Sequence, residues 1–192
     1  MRRGRLAAIA LVVAGLASAQ APEEAAKRFV LAYVSYAPES SVDVRVDARV
    51  TTPMGPYVVA TARRSSLRGG EPEQLSLLID PQSRQVTVGP LMPLPPTNPP
   101  LSASTMPGFV ETVLTPLLSG AMGSRVRIRW PSTPTRTTAV VTLAAEIASG
   151  YGWVRMPAAI TMDGKYFMLG STWPLDRDPR ATRDVRAQPN TV

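Results

Sequence analysis

The side chains that most often carry chemistry are sparse in this chain, and their spacing limits what they could do. There is no cysteine and no histidine. That removes thiol nucleophiles, disulfides, Cys/His metal sites and every histidine-based triad. Asp176 and Asp178 are spaced as a carboxylate pair for acid–base work or for holding a cation. They stand among arginines with no converging partner, which favours solvated ion pairs. A Ser–Lys nucleophile would have to use Lys27 or Lys165, the only lysines. Lys27 falls on an outward helix position and Lys165 in a turn. No glycine-rich phosphate loop is present. Arg125, Arg127 and Arg129 share one strand face and could neutralise phosphates. With few aromatics beside them, they read as a wet face or as partners of acids on a neighbouring strand. Tyr151, Trp153 and Trp173 gather near the last strands. They are expected to form a protein-contact surface, with core packing as the competing role. The residues therefore predict no catalytic site, no cofactor and no metal, and no nucleic-acid partner.

The rest of the chain must supply a scaffold for that surface. Its 192 residues suit one or two small domains, and 44% hydrophobic content supports a packed core. The 20 prolines fall mainly between apolar runs. Arg2, Arg3 and Arg5, the apolar run Leu6 to Leu16 and the small residues Ala17-Ser18-Ala19 match a secretory signal over residues 1–19. The run is too short to span a bilayer comfortably, so membrane contact is expected only during export. The formal charge is +7; losing three arginines with the signal leaves 18 basic against 14 acidic residues, or +4. The expected location is the periplasm, cell envelope or extracellular space.

Pro22 to Val34 is predicted as a helix, with proline at its first turn and Ala26, Phe29, Val30 and Tyr33 on one stripe. Ser41 to Thr51 alternates valine and alanine with charged residues, the pattern of a half-buried strand. Strands follow at Tyr57 to Ser65, Leu75 to Ile79 and Gln85 to Val88, with Gly89 as a breaker. Residues 95–103 form a stiff proline-rich linker. A second helix is expected over Ser104 to Met122, kinked or split at Pro116 and closed by Gly120 or Gly123. Strands are then predicted at Arg125 to Trp130, Thr138 to Ser149, Trp153 to Thr161 and Lys165 to Leu169. Asp163-Gly164 reads as a tight hairpin turn and Gly170 as a stop before Pro174-Leu175. Residues 180–192 read as a flexible tail.

The two passes share one order. Phe29-Val30 recurs as Phe109-Val110, Thr52-Pro53 as Thr133-Pro134, Asp80 as Asp163, and Gly89 with Pro93-Leu94 as Gly170 with Pro174-Leu175. The expected fold class is α+β: two tandem helix-plus-antiparallel-sheet units over residues 20–94 and 104–179. In each, one helix covers the apolar face of a sheet of about four strands.

The run Met162-Asp163-Gly164-Lys165-Tyr166-Phe167-Met168-Leu169-Gly170 resembles the end of the N-terminal dimerisation domain of DsbC-type disulfide isomerases. Asp163, Gly164, Lys165 and Gly170 match that family's closing hairpin, and Trp173-Pro174-Leu175-Asp176 stands at its exit. The resemblance implies a cystatin-like fold in each unit. It also implies a homodimer or an intrachain pseudo-dimer that docks protein partners or unfolded clients. The family's catalytic thioredoxin domain and its Cys-x-x-Cys are missing, so no redox role carries over. The expectation is a non-enzymatic exported binding module. The alternative is the N-terminal part of a thioredoxin-fold oxidoreductase system whose catalytic domain is encoded separately or lost.

Overall fold

The structure, a computed structural model, describes residues 22–34, 40–66, 71–131 and 138–176. The expected export signal, the Thr133-Pro134 match, Asp178 and the expected tail lie outside them. The described chain is α+β with two five-stranded antiparallel sheets.

Helix α1, Pro22–Val34, is followed by β1 (Ser40–Thr52), β2 (Gly55–Ser66), β3 (Glu73–Asp80), β4 (Gln85–Val88) and the short β5 (Leu91–Pro93). The second helical stretch comprises α2 (Met106–Phe109), a π-helical turn (Val110–Leu114) and α3 (Thr115–Met122). It leads to β6 (Val126–Arg129), β7 (Val140–Ser149), β8 (Gly152–Thr161), β9 (Tyr166–Leu169) and β10 (Ser171–Pro174). Pro116 neither ends nor splits this helix. The backbone widens just before it: the Thr115 N–H and hydroxyl both donate to the Val110 carbonyl, the hydroxyl at 2.8 Å. A π turn of this kind absorbs the hydrogen bond that proline cannot make. Gly123, at φ +60°, closes the helix.

The first sheet runs β1-β2-β3-β4-β10 and the second β6-β7-β8-β9-β5. Each half of the chain thus contributes four strands to its own sheet and a fifth to the other. Gly89 and Gly170 are not stops; the chain runs through both into β5 and β10. The two glycines pass against each other where the segments cross. A Cβ on Gly89 would lie 1.9 Å from the Leu169 carbonyl oxygen, and one on Gly170 would lie 1.9 Å from the Val88 carbonyl oxygen. Only glycine permits that approach. The crossing is reciprocal in its bonds as well. Leu94 N–H donates to the Lys165 carbonyl and Leu175 N–H to the Arg84 carbonyl, each at 2.8 Å. Pro93 sits opposite Tyr166 as Pro174 sits opposite Gln85, a spacing of 81 in both members.

Three cores hold four layers together. In the first, α1 inserts Ala26, Phe29 and Val30 against Val58, Ala60, Leu77, Ile79 and Val86. In another, Met106, Phe109, Val110, Leu114 and Leu118 cover Val141, Leu143, Ala158, Ile160 and Phe167. Between the sheets lies a third, made of Tyr57, Val59, Leu78, Ala139, Val140, Ala159 and Met168. The central strands are therefore buried on both faces, whereas the alternation of β1 predicts one wet face. The runs Val58-Val59-Ala60, Leu77-Leu78-Ile79 and Ala158-Ala159-Ile160 carry the double burial, since continuous apolar stretches suit strands covered on both sides. In β1 a bulge between Val46 and Ala48 shifts the register. It turns Ala48 and Val50 to the inter-sheet core, while Val42, Val44 and Val46 face α1.

The hairpins that close each half are equal in length, with Ile79 opposite Val86 and Ile160 opposite Phe167. Asp80 therefore corresponds to Thr161 rather than to Asp163. Asp80 accepts the Gln82 and Ser83 N–H groups at 3.0 and 3.1 Å. Thr161 fills the same place by accepting the Tyr166 N–H at 3.0 Å. The Asp163-Gly164 turn is not the two-residue kind. Gly164 alone has positive φ, at +69°, and its N–H donates to the Thr161 carbonyl at 2.8 Å.

Asp163 ties the halves together, because the Tyr57 hydroxyl donates to its Oδ2 at 2.8 Å. Burial, reinforced by the Asp163 hydrogen bond and charge, raises the Tyr57 pKa far above the ordinary tyrosine value of 10.0. The native state thus keeps a phenol proton that the unfolded chain releases above pH ~10. Folding stability is complete below that pH and falls as the pH rises beyond it, by about 1.4 kcal/mol per unit for one proton. Urea titrations between pH 9 and 11 are expected to show this slope in the native sequence. In Tyr57→Phe it should flatten. An unchanged slope would mean that the phenol titrates freely.

Candidate functional site

Strand β8 is longer than its neighbour β9. It pairs with β7 along its full length, Gly152 to Thr161, but with β9 only at Ala158, Ala159 and Ile160. The end of the β7–β8 hairpin therefore extends past the covered part of the sheet, and Gly152 to Pro157 are all exposed. Tyr151 stands at the tip, fully exposed. Trp153, Val154 and Met156 follow at 39, 51 and 36% exposure. Val113, Leu117 and Met122 on the second helical stretch are exposed as well. Among the described residues, every large exposed hydrophobic side chain lies between positions 113 and 156.

The faces of this overhang differ. Register places Val154 opposite Ile147 and Met156 opposite Ala145, on the helix-facing side. Trp153 sits opposite Ala148 and Arg155 opposite Glu146, on the other side. Arg127 and Arg129 of β6 join that second side. The Arg127 guanidinium lies 4.0 Å from the Trp153 ring centre, a cation–π contact. Arg129 Nε reaches Glu146 Oε1 at 2.8 Å. The expected arginine face is thus present, one member paired to an acid on the next strand and one stacked on an aromatic ring. Arg127, Arg129 and Arg155 share this side with Glu146, and Arg125, one residue before β6, continues the same phase with its carbonyl accepting the Ala148 N–H at 2.9 Å.

The three aromatic residues singled out by sequence do not form one group. Tyr151 and Trp153 sit at the hairpin end. Trp173 belongs to β10 in the first sheet, where it packs on the α1 core edge-on to Tyr33, ring centres 5.8 Å apart. Its role is packing. Val154 and Met156 are surface residues that fall within the expected strand Trp153 to Thr161 and are not singled out by sequence. Their signal is the mismatch between ten residues in β8 and four in β9.

The remaining candidates separate. Asp176 makes a long, exposed ion pair with Arg84 at 3.9 Å, a contact worth about 0–1 kcal/mol. Lys165 Nζ lies 3.7 Å from Asp163 Oδ2. Lys27 is exposed on α1. Among the described residues no group of three His, Cys, Asp or Glu side chains could hold a metal. A cleft of about 460 Å3 opens on the first sheet, lined by Asp43, Arg45, Thr61, Arg63, Pro72 and Gln74. Within it Arg45 is held by Asp47 at 2.8 Å, and the Thr61 hydroxyl donates to the same carboxylate at 2.6 Å. No helix of the described residues is long and apolar enough to cross a membrane.

Comparison of the chain with protein-family models, with curated proteins and with solved structures finds no match.

Proposed function

We propose that this chain is an exported, non-enzymatic binding module of the cell envelope, and that it docks protein partners or unfolded clients on the exposed end of the β7–β8 hairpin. The observation that carries the reading is the confinement of exposed Trp153, Val154 and Met156, with Tyr151 beside them, to one projecting element. Aromatic residues supply most of the affinity of protein contacts, and apolar side chains gathered on one element mark interaction surfaces. In this reading the chain is built from two cystatin-like units, 20–94 and 104–179, joined by the linker 95–103. The support is the matching strand order of the two sheets and the 81-residue spacing of their closing strands. The exchange of β5 and β10 then makes an intrachain pseudo-dimer.

The test is aggregation of a thermally unfolding client enzyme, followed by light scattering, with the mature chain added. Suppression is expected at near-stoichiometric ratios. Trp153→Ala combined with Val154→Asp should require about tenfold more protein for the same effect, in line with loss of two anchor residues. Its melting temperature should stay near that of the parent, since both side chains are exposed. A parent chain that leaves scattering untouched would sink the proposal.

A further inference from the structure

We propose that the open stretch of β8, Trp153 to Arg155, receives an extended partner strand in which acidic and apolar residues alternate. The inference rests on the docking function above and specifies the mode and the chemistry of the partner.

The backbone phase supplies the mode. Gly170 N–H donates to the Pro157 carbonyl at 2.9 Å, so residue 157 directs its main-chain groups toward the β9 side. Main-chain groups alternate along a strand, so those of Arg155 and Trp153 point the same way. β9 reaches only to Ala158, and among the described residues no strand pairs with β8 beyond that point. The N–H and C=O groups of Trp153 and Arg155 are therefore an unpaired edge. Pro157, which has no N–H to offer, marks its end. An unpaired edge of this kind is a template for strand addition.

The first sheet shows what a protected edge looks like in the same position. β3 meets β4 at Leu77 and Val88, as β8 meets β9 at Ala158 and Leu169, both 81 residues on. By that spacing Trp153, Val154 and Met156 correspond to Pro72, Glu73 and Leu75. Pro72 and Glu73 are typical edge-blunting residues, and Glu73 is engaged by Arg64 at 3.3 Å. The second sheet carries tryptophan and valine where the first carries proline and glutamate.

Charge selects the occupant. A strand added to this edge would place alternate side chains beside Val154 and Met156, and the others beside Trp153 and Arg155, with the Arg127 guanidinium reaching the Trp153 ring from two strands away. The first set favours apolar residues, the second acidic ones, because Arg155 and Arg127 stand there while Glu146 is engaged by Arg129. A second copy would bring the same arginines against themselves. The chain's own last 16 residues hold four arginines and two aspartates, so they fit no better.

The probe is a labelled peptide of alternating Glu and Val, about eight residues long, titrated against the mature chain by fluorescence anisotropy. It should bind, and a Lys–Val peptide should bind about tenfold more weakly. N-methylation along one edge of the Glu–Val peptide should abolish binding, since side chains remain and only main-chain donors are lost. Arg155→Glu, at unchanged melting temperature, should reverse the preference between the two peptides. Equal binding of both peptides, binding that survives N-methylation, or no binding would overturn the proposal. So would a dimer in sedimentation equilibrium that Arg155→Glu leaves intact and Trp153→Pro disrupts, which would assign the edge to a second copy. If the peptide fails while client protection still depends on Trp153 and Val154, strand addition is wrong and the docking function stands. If both fail, the docking function falls with it.

Discussion

Gly89→Ala is expected to destabilise the protein by about 3 kcal/mol or more, far beyond the loss typical of a glycine-to-alanine exchange. The added methyl group would be placed 1.9 Å from a main-chain oxygen, that of Leu169. A flexible side chain could swing away; a main-chain carbonyl at the end of a paired strand cannot. The crossing must open, and β5 and β10 lose their ladders together. Gly170→Ala meets the mirror obstacle at the Val88 oxygen, also at 1.9 Å, and should cost a similar amount. The double variant should cost less than the sum, because the first substitution already separates the segments that the second would push apart. Urea denaturation measures all three. A loss below about 1 kcal/mol in either single variant, a value usual for tolerated surface changes, would refute the crossing. Strongly unequal losses would count against two equivalent units.

The second large effect concerns the layer between the sheets. Met168 is fully buried there with Leu78, Val59 and Ala159. Met168→Asp is expected to leave the chain unfolded at 25 °C or to cost more than about 4 kcal/mol, because an unpaired carboxylate would replace an apolar side chain in a dry core. Met168→Leu, of similar volume, should cost less than about 1.5 kcal/mol. If each sheet were covered on one face only, by its own helix, position 168 would be wet, since its neighbour Phe167 faces the helix. Met168→Asp would then be nearly neutral. Circular dichroism melts of the two variants decide between these outcomes.

The local elements follow from local physics. The stripe Ala26, Phe29, Val30 predicts α1 and its buried face. The alternation from Val42 to Val50 predicts β1, and the run of charged side chains at its odd positions marks solvent on the other side. Turn residues fix the hairpin at Asp163-Gly164, although the observed turn needs one positive φ, not two. Both long helical segments and eight of the ten strands are readable in this way, because hydrophobic period and turn chemistry act over a few residues. β5 and β10 are not. Each has three or four residues, follows a glycine and contains a proline, so nothing in their own sequence distinguishes a crossing strand from a loop. What makes them strands is a partner 73 or more residues away. The same holds for the bulge in β1: its even positions are uniformly apolar, yet Val46 and Ala48 face different layers.

The surface residues divide along the same line. By sequence, Tyr151, Trp153 and Trp173 are all aromatic residues near the last strands. Only the fold places Trp173 against Tyr33 and leaves Trp153 in the open. Exposure is not a property of a residue or its period. It depends on how far a neighbouring strand reaches, and β9 stops at Leu169. Composition and local periodicity suffice for the α+β class, the helices and most strands, and they exclude cysteine and histidine chemistry. Tertiary structure alone decided the exchange of β5 and β10, the double burial of the central strands and the open edge at Trp153 to Arg155. The former arise from contacts between near neighbours in the chain, the latter from pairings between its two halves.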